Sequence, residues 1–124
     1  MSLQRMNVTG TWDVAAPLLA AALIGSSTTL GDLYESCLAG EAMLFGSEHA
    51  VLVIRLDADE LVVCAMAAKP GSKWAIAQTD GELLNLAREL GAKEISFVTN
   101  HRGMERLLPE GWHVRCYVME RRVA

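Results

Sequence analysis

The sequence predicts one α+β domain: a mixed, mostly antiparallel sheet with helices on both faces, entered through two helices. Three observations predict it. Apolar residues first recur at helical spacing, then condense into runs rich in Val, Ile and Leu, then alternate between the two patterns. Glycine and acidic turn residues punctuate each change. The resulting order is helix, helix, three strands, helix, strand, helix, strand, which joins a hairpin to crossover helices. At 124 residues the chain is one domain, 1–124, by the usual length prior. It is long enough to bury roughly two thirds of its unfolded surface. Residues 1–12 read as a partly disordered lead-in.

Residues 13–24 are Ala- and Leu-rich and read as a helix entered at Trp12-Asp13, with Pro17 acceptable in its first turn. The string GSST then breaks the pattern. Thr29 and Asp32 have the spacing of a capping box. Leu30, Leu33, Tyr34, Cys37 and Leu38 follow on one helical face, and Gly40 stops the helix. Next come AMLFGS, HAVLVIRL and ELVVCAMAA, three strand-like runs. DADE, 57–60, reads as the hairpin turn between the last two. KPGSKWAIAQ is a Pro/Gly-punctuated loop. Thr79 and Glu82 form a second capping-box candidate, with Leu83, Leu86, Ala87 and Leu90 as the apolar face and Gly91 as the stop. EISFVT reads as a strand, Gly103–Leu108 as a short helix, and WHVRCYVMERRV as the last strand.

Composition narrows the function classes. Apolar content is 52%, charged content 21% and net charge -4, which suits a globular protein and disfavours nucleic acid as a partner. The longest apolar run, VAAPLLAAALIG, is too short to span a bilayer and follows no basic segment, so a membrane partner is not expected. Cys37, Cys64 and Cys116 form no CxxC pair and each lies on an apolar face. They read as small core residues of a reduced, cytoplasmic protein. Trp12, Trp74 and Trp112 read as core anchors. His101 and His113 have no third ligand in register, so no metal is expected. His101, Arg102, Arg106, Arg115, Arg121 and Arg122 could form an anion site or an interface. Glu105, Glu110 and Glu120 interleave with them, which favours a solvated face.

The hairpin, the helix ending in LARELGAKEI, the following strand, and the passage from Asn100 to Gly111-Trp112 resemble the Gcn5-related N-acetyltransferases, the GNAT superfamily. That likeness covers roughly residues 42–122. TLGDLYESCLAGEAMLF, LARELGAKEISF and RGMERLLPEGW are further similar to the small GNAT-like proteins of phages and prophages, with Met104 where those often carry an aromatic. The resemblance implies an acyl-CoA N-acyltransferase fold, acetyl-CoA as cofactor, and a small amine or a protein as substrate. A phage origin implies a phage protein partner and a cytoplasmic or virion-associated location. The alternative it leaves open is a catalytically inactive GNAT-like domain acting in phage assembly or host contact.

A GNAT cradles the CoA diphosphate with a [Q/R]-x-x-G-x-[G/A] turn before a helix, because helix N-termini present unpaired N–H groups and a positive dipole end. Two registers compete here. PGSKWA lies at the family's distance from Gly91, with Gly71, Lys73 and the alanine at its end. QTDGEL begins with Gln78 and Gly81 but places Asp80 and Glu82 in the first helical turn, where they oppose a diphosphate. Lys69 and Lys73 offset that charge. Ala65 and Ala67 on CAMAA permit close approach of a pantetheine arm, and Asn100 marks the family's next strand end. In the family a Tyr protonates the leaving thiolate, but the corresponding position holds Leu107, so Tyr117 is the candidate acid. Glu60 is the candidate general base, with Glu48 and His49 as further choices.

Overall fold

The computed structural model describes residues 3–24, 28–69, 76–97, 111–113, 121 and 123, and the side chains of 76–79 are outside that set. The element order is β1 (Gln4–Arg5), α1 (Val8–Ala22), α2 (Leu30–Leu38), β2 (Met43–Gly46), β3 (Ala50–Asp57), β4 (Glu60–Ala68), α3 (Ile76–Leu90) and β5 (Glu94–Phe97). The chain is α+β with one five-stranded mixed sheet, ordered β1-β2-β3-β4-β5. The first four strands pair antiparallel. β4 and β5 pair in parallel, joined by the crossover through α3.

β3 is apolar on both faces because the sheet is covered on both. Ala50, Leu52 and Ile54 face α3, where they meet Leu61, Val63, Leu83, Leu86 and Ala87. Val51 and Val53 face the other way, onto Ala15 and Leu19 of α1 and Leu33 and Cys37 of α2. Leu19, Leu44, Leu52, Ile54, Leu61 and Val63 are completely buried, each worth about 1.5–3 kcal/mol relative to exposure.

The expected elements return with several corrections. Residues 1–12 were read as a loose lead-in, yet Leu3 is buried and Gln4–Arg5 add an edge strand to β2. α1 begins at Val8, capped by the Asn7 side chain accepting from the Thr9 N–H. Trp12 therefore lies inside α1, half-buried and packed against Tyr34 with ring centroids 5.1 Å apart and the planes tilted by 49°. Pro17 is well past the first turn; it has no N–H to give the Asp13 carbonyl.

α2 has the expected capping box: the Thr29 N–H donates to Asp32 Oδ2 at 3.0 Å and the Asp32 N–H to Thr29 Oγ1 at 3.1 Å. Leu33 and Cys37 are buried, but Leu38, assigned to the same face, is 53% exposed. Gly40 and Gly91 both follow helix ends at positive φ, 78° and 75°. At each the chain closes with paired reverse bonds, Glu41 N–H to Ser36 and Ala92 N–H to Ala87.

α3 begins at Ile76, one residue after the PGSKWA string. Thr79 is thus already inside the helix, and the Thr79–Glu82 capping box is not its start. Leu83, Leu86 and Ala87 form the buried face as expected, with Leu90 at its margin. The Gly103–Leu108 helix and positions 114–120 of the last strand lie outside the described residues. Trp112 and His113 are described and are not in a strand.

Candidate functional site

The hairpin turn sets the register of β4. Asp57 pairs with Glu60 across Ala58-Asp59, and Ala58 carries the left-handed φ of 55° that the tight reversal needs. From there Leu56, Arg55 and Ile54 pair with Leu61, Val62 and Val63. The next pair is Val53 with Ala65, so Cys64 is a surplus residue: a β-bulge. Its effect on side-chain direction is visible in the packing. Leu61 and Val63 face α3, whereas beyond the bulge Met66 does, and Cys64, Ala65 and Ala67 all lie against the α1/α2 layer.

The same level ends the β4/β5 pairing. The parallel ladder runs Glu60–Glu94, Leu61–Ile95, Val62–Ser96 and Val63–Phe97. β4 then continues through Cys64 to Ala68, held by β3 on its other edge. Among the described residues the backbone of that segment has no strand beside it on the β5 side. This is the CAMAA string. Ala65 is buried in the cluster that Ala15 and Leu19 of α1 also join, so its small side chain serves that packing.

The remaining sequence-predicted residues fall in four groups. Ala65, Ala67 and Lys69 stand together at the far end of β4. Glu60 stands at the hairpin end of the same strand, about 13 Å from Cys64 at the usual rise per residue. Gly71, Lys73, Asn100 and Tyr117 lie outside the described residues, as do Leu107, His101, Arg102, Arg106, Arg115, Arg122, Cys116 and Trp74. Gln78 and Gly81 lie within α3. Gly81 is in its second turn, where backbone N–H groups are bonded to carbonyls four residues back. That placement corrects the QTDGEL register: Gly81 cannot contribute a free N–H at a helix start.

Asp80 and Glu82 likewise belong to the second turn of α3, not the first. Asp80 has a partner the sequence did not announce. The Trp112 indole N–H donates to its Oδ1 at 2.6 Å, tying the GW turn to α3. Gly111 precedes it at φ 105°.

Glu48 and His49 sit in the turn between β2 and β3, which abuts the far end of β4: the Lys69 N–H donates to the His49 carbonyl at 2.8 Å. Ser47 Oγ accepts from the N–H groups of His49 and Ala50 and fixes this turn. The imidazole Nε2 lies 3.1 Å from Glu48 Oε1, and Nδ1 is buried. With one ring nitrogen turned to Glu48 and the other enclosed, His49 does not present a lone pair to an incoming amine.

Cys64 is half-buried at the bulge. Burial pushes its thiol up, and the nearby Arg55 guanidinium pulls it back less strongly. Arg55 Nε is itself held by Asp57 Oδ2 at 3.0 Å. Cys37 is also pushed up, first by burial and then by Cys64. Both stay protonated at neutral pH, so neither is an activated nucleophile. Among the described residues no three of His, Cys, Asp or Glu gather as a metal site. No helix among them is long and apolar enough to cross a membrane.

No protein-family model and no curated protein matches the chain. A solved structure does: a point mutant of the BH1408 protein from Bacillus halodurans. It superposes over 100% of both chains with a TM-score of 0.68 at 9% identity. At that identity the likeness shows a shared fold and nothing of activity.

Proposed function

We propose that the chain is a GNAT-like domain that binds an acyl-CoA in the opening beside β4 and transfers the acyl group to an amine. The observation that carries this reading is the β4/β5 junction. A parallel pair ends at Val63–Phe97, a bulge falls on the next residue, Cys64, and β4 runs on with, among the described residues, no strand on its β5 side. The order of elements from β1 to β5 and the Asn100 to Trp112 spacing support it further.

An extended pantetheine arm has the amide spacing to add beside Cys64–Ala68 as a strand would, using their N–H and C=O groups. The diphosphate then falls to the 69–75 segment and the N-terminus of α3, in the PGSKWA register and not the QTDGEL one. In the transfer, the amine nitrogen attacks the thioester carbonyl, the C–N bond forms and the C–S bond breaks. A proton leaves the amine and one reaches the thiolate. Tyr117 is the candidate for the second transfer. Glu60 serves the first only through water, given its distance along β4.

The position of Glu60 and the presence of Leu107 where the family has its acid favour a second reading. In it the domain keeps the CoA opening without the chemistry and serves a phage or prophage through protein contacts. Calorimetric titration with acetyl-CoA, desulfo-CoA and ADP tests the common part. Micromolar binding shared by the two CoA compounds upholds the CoA site, and no heat at millimolar ligand refutes it. Turnover against a panel of amines then separates transfer from silent binding.

A further inference from the structure

The outer edge of β2 is closed by very little. β1 has two residues, both exposed, which pair Gln4 with Gly46 and Arg5 with Phe45. One further backbone bond follows, from the Met6 N–H to the Leu44 carbonyl at 2.8 Å. Among the described residues β1 is the last strand on that side of the sheet, so it alone covers the β2 edge. An uncovered edge is a template for pairing with another chain.

Two side chains clasp this short strand, one on each face of the sheet. Leu3 is buried in the cluster that α3 covers, with Phe45 in the same cluster. Met6 is half-buried and packs against the cluster under α1 and α2. Its thioether lies over Gly46, which is itself buried. A Cβ built on Gly46 would collide with Met6 Sδ and come within 3.6 Å of Met6 Cγ and Cε. The Gly46 backbone is not left-handed, so the thioether and not the chain conformation is what excludes a side chain there.

We propose that Met6 is a redox-sensitive latch: oxidation of its thioether by a peroxide releases β1 and uncovers the outer edge of β2. In that step a sulfur lone pair attacks one peroxide oxygen. The S–O bond forms as the O–O bond breaks, and the departing oxygen takes the proton of the transferred one. The sulfur is oxidised to the sulfoxide, and hydrogen peroxide is reduced to water. The product is polar and bulkier than the thioether. Its oxygen is a hydrogen-bond acceptor placed among apolar side chains, which disfavours the docked state. The sulfur already stands against Gly46, so the added volume pushes the strand outwards.

A strand held by so few bonds opens locally at small cost, which also brings the sulfur to the oxidant. Met43 and Met66, the other described methionines, pack against the opposite cluster, on the α3 face. Their oxidation is expected to leave β1 in place. Sulfoxide reductases return methionine sulfoxide to the thioether, so the release is reversible.

Hydrogen exchange of the full chain, followed by mass spectrometry on peptides spanning β1 after stepwise treatment with hydrogen peroxide, tests this. Peptide mapping locates each added oxygen. In molecules oxidised at Met6, exchange through β1 and the Met6 amide is expected to rise about tenfold or more while β3 stays protected. Methionine sulfoxide reductase is expected to restore the original rate. Met6→Leu keeps an apolar side chain of similar volume without a sulfur, and the same peroxide dose should leave its exchange at its own untreated level. Gly46→Ala is expected to open β1 with no oxidant, because its methyl group takes the place of the sulfur. Oxidation at Met6 with unchanged exchange overturns the proposal. So do a Met6 that stays reduced while Met43 and Met66 are oxidised, a peroxide-induced opening that persists in Met6→Leu, and a Gly46→Ala protein whose β1 is as protected as the parent's.

Discussion

Gly81→Ala separates the two registers proposed for a diphosphate cradle. If QTDGEL formed the cradle, Gly81 would allow backbone approach to the ligand, and a methyl group there would weaken binding. In the structure Gly81 is exposed in the second turn of a 15-residue helix. A Cβ built on it meets nothing within 4 Å. The substitution therefore carries no steric cost and gains the full difference in helix propensity, about 0.8–1 kcal/mol. For a domain of this length that is a rise of roughly 4 °C in Tm, or about 0.5 M in the urea midpoint with an unchanged slope. Thermal and urea unfolding followed by circular dichroism would read both shifts, and calorimetry would read CoA affinity alongside. The expected outcome is a more stable protein with unaltered ligand binding. A loss of stability would refute the placement of Gly81 inside α3, and a loss of CoA binding with stability gained would return the cradle to QTDGEL.

Four further outcomes follow from local geometry. Ala58→Gly at the β3–β4 turn relieves a left-handed alanine and should stabilise by about 0.5–1 kcal/mol after the added entropy of the unfolded glycine, read by the same urea curves. Thr29→Ala removes the side-chain half of the α2 capping box and should cost about 1 kcal/mol, with Thr29→Ser close to neutral. Ala65→Leu forces a larger side chain between β4 and α1 and should cost about 1–3 kcal/mol. Cys37 and Cys64 have raised thiol pKa values when folded, so the folded state holds protons that the unfolded state gives up at alkaline pH. Stability should be flat below the ordinary thiol range of about 8.5 and fall as pH rises above it, and Cys37→Ser/Cys64→Ser should lose that alkaline decline.

The sequence was most legible where local rules and burial agree. The Thr29–Asp32 box, the Leu83/Leu86/Ala87 face and the two glycine stops are each decided within one or two helical turns. β4 was bounded from Glu60 to Ala68 by its acidic turn and the following Lys-Pro. The start of α3 was misread because Thr79 and Glu82 satisfy the capping spacing while the helix, docked through Leu83, Leu86 and Ala87, extends a further turn back to Ile76. Propensity near a helix end is weaker than the packing that holds its middle. Leu38 is 53% exposed although it follows the apolar spacing, while Cys37 beside it is buried, because periodicity does not say how wide the partner surface is.

The central feature of the candidate site was not legible for a different reason. A bulge is a mismatch between two strands, and it shows in one strand only when alternation breaks from apolar to polar. After Glu60, ELVVCAMAA is apolar to its end because β4 is covered by α3 on one face and by α1 and α2 on the other, so a change of parity at Cys64 leaves no mark in residue type. The double coverage that makes β4 easy to find thus erases the signal of its irregularity. It also explains why Ala65 and Ala67 were readable as ligand-facing. Small residues are required both where a helix presses on a strand and where a ligand approaches one, and only the pairing register separates the two demands. That register turns the Ala65 and Ala67 side chains to the α1/α2 layer and, among the described residues, leaves the backbone of β4 beyond Val63 with no strand on the β5 side.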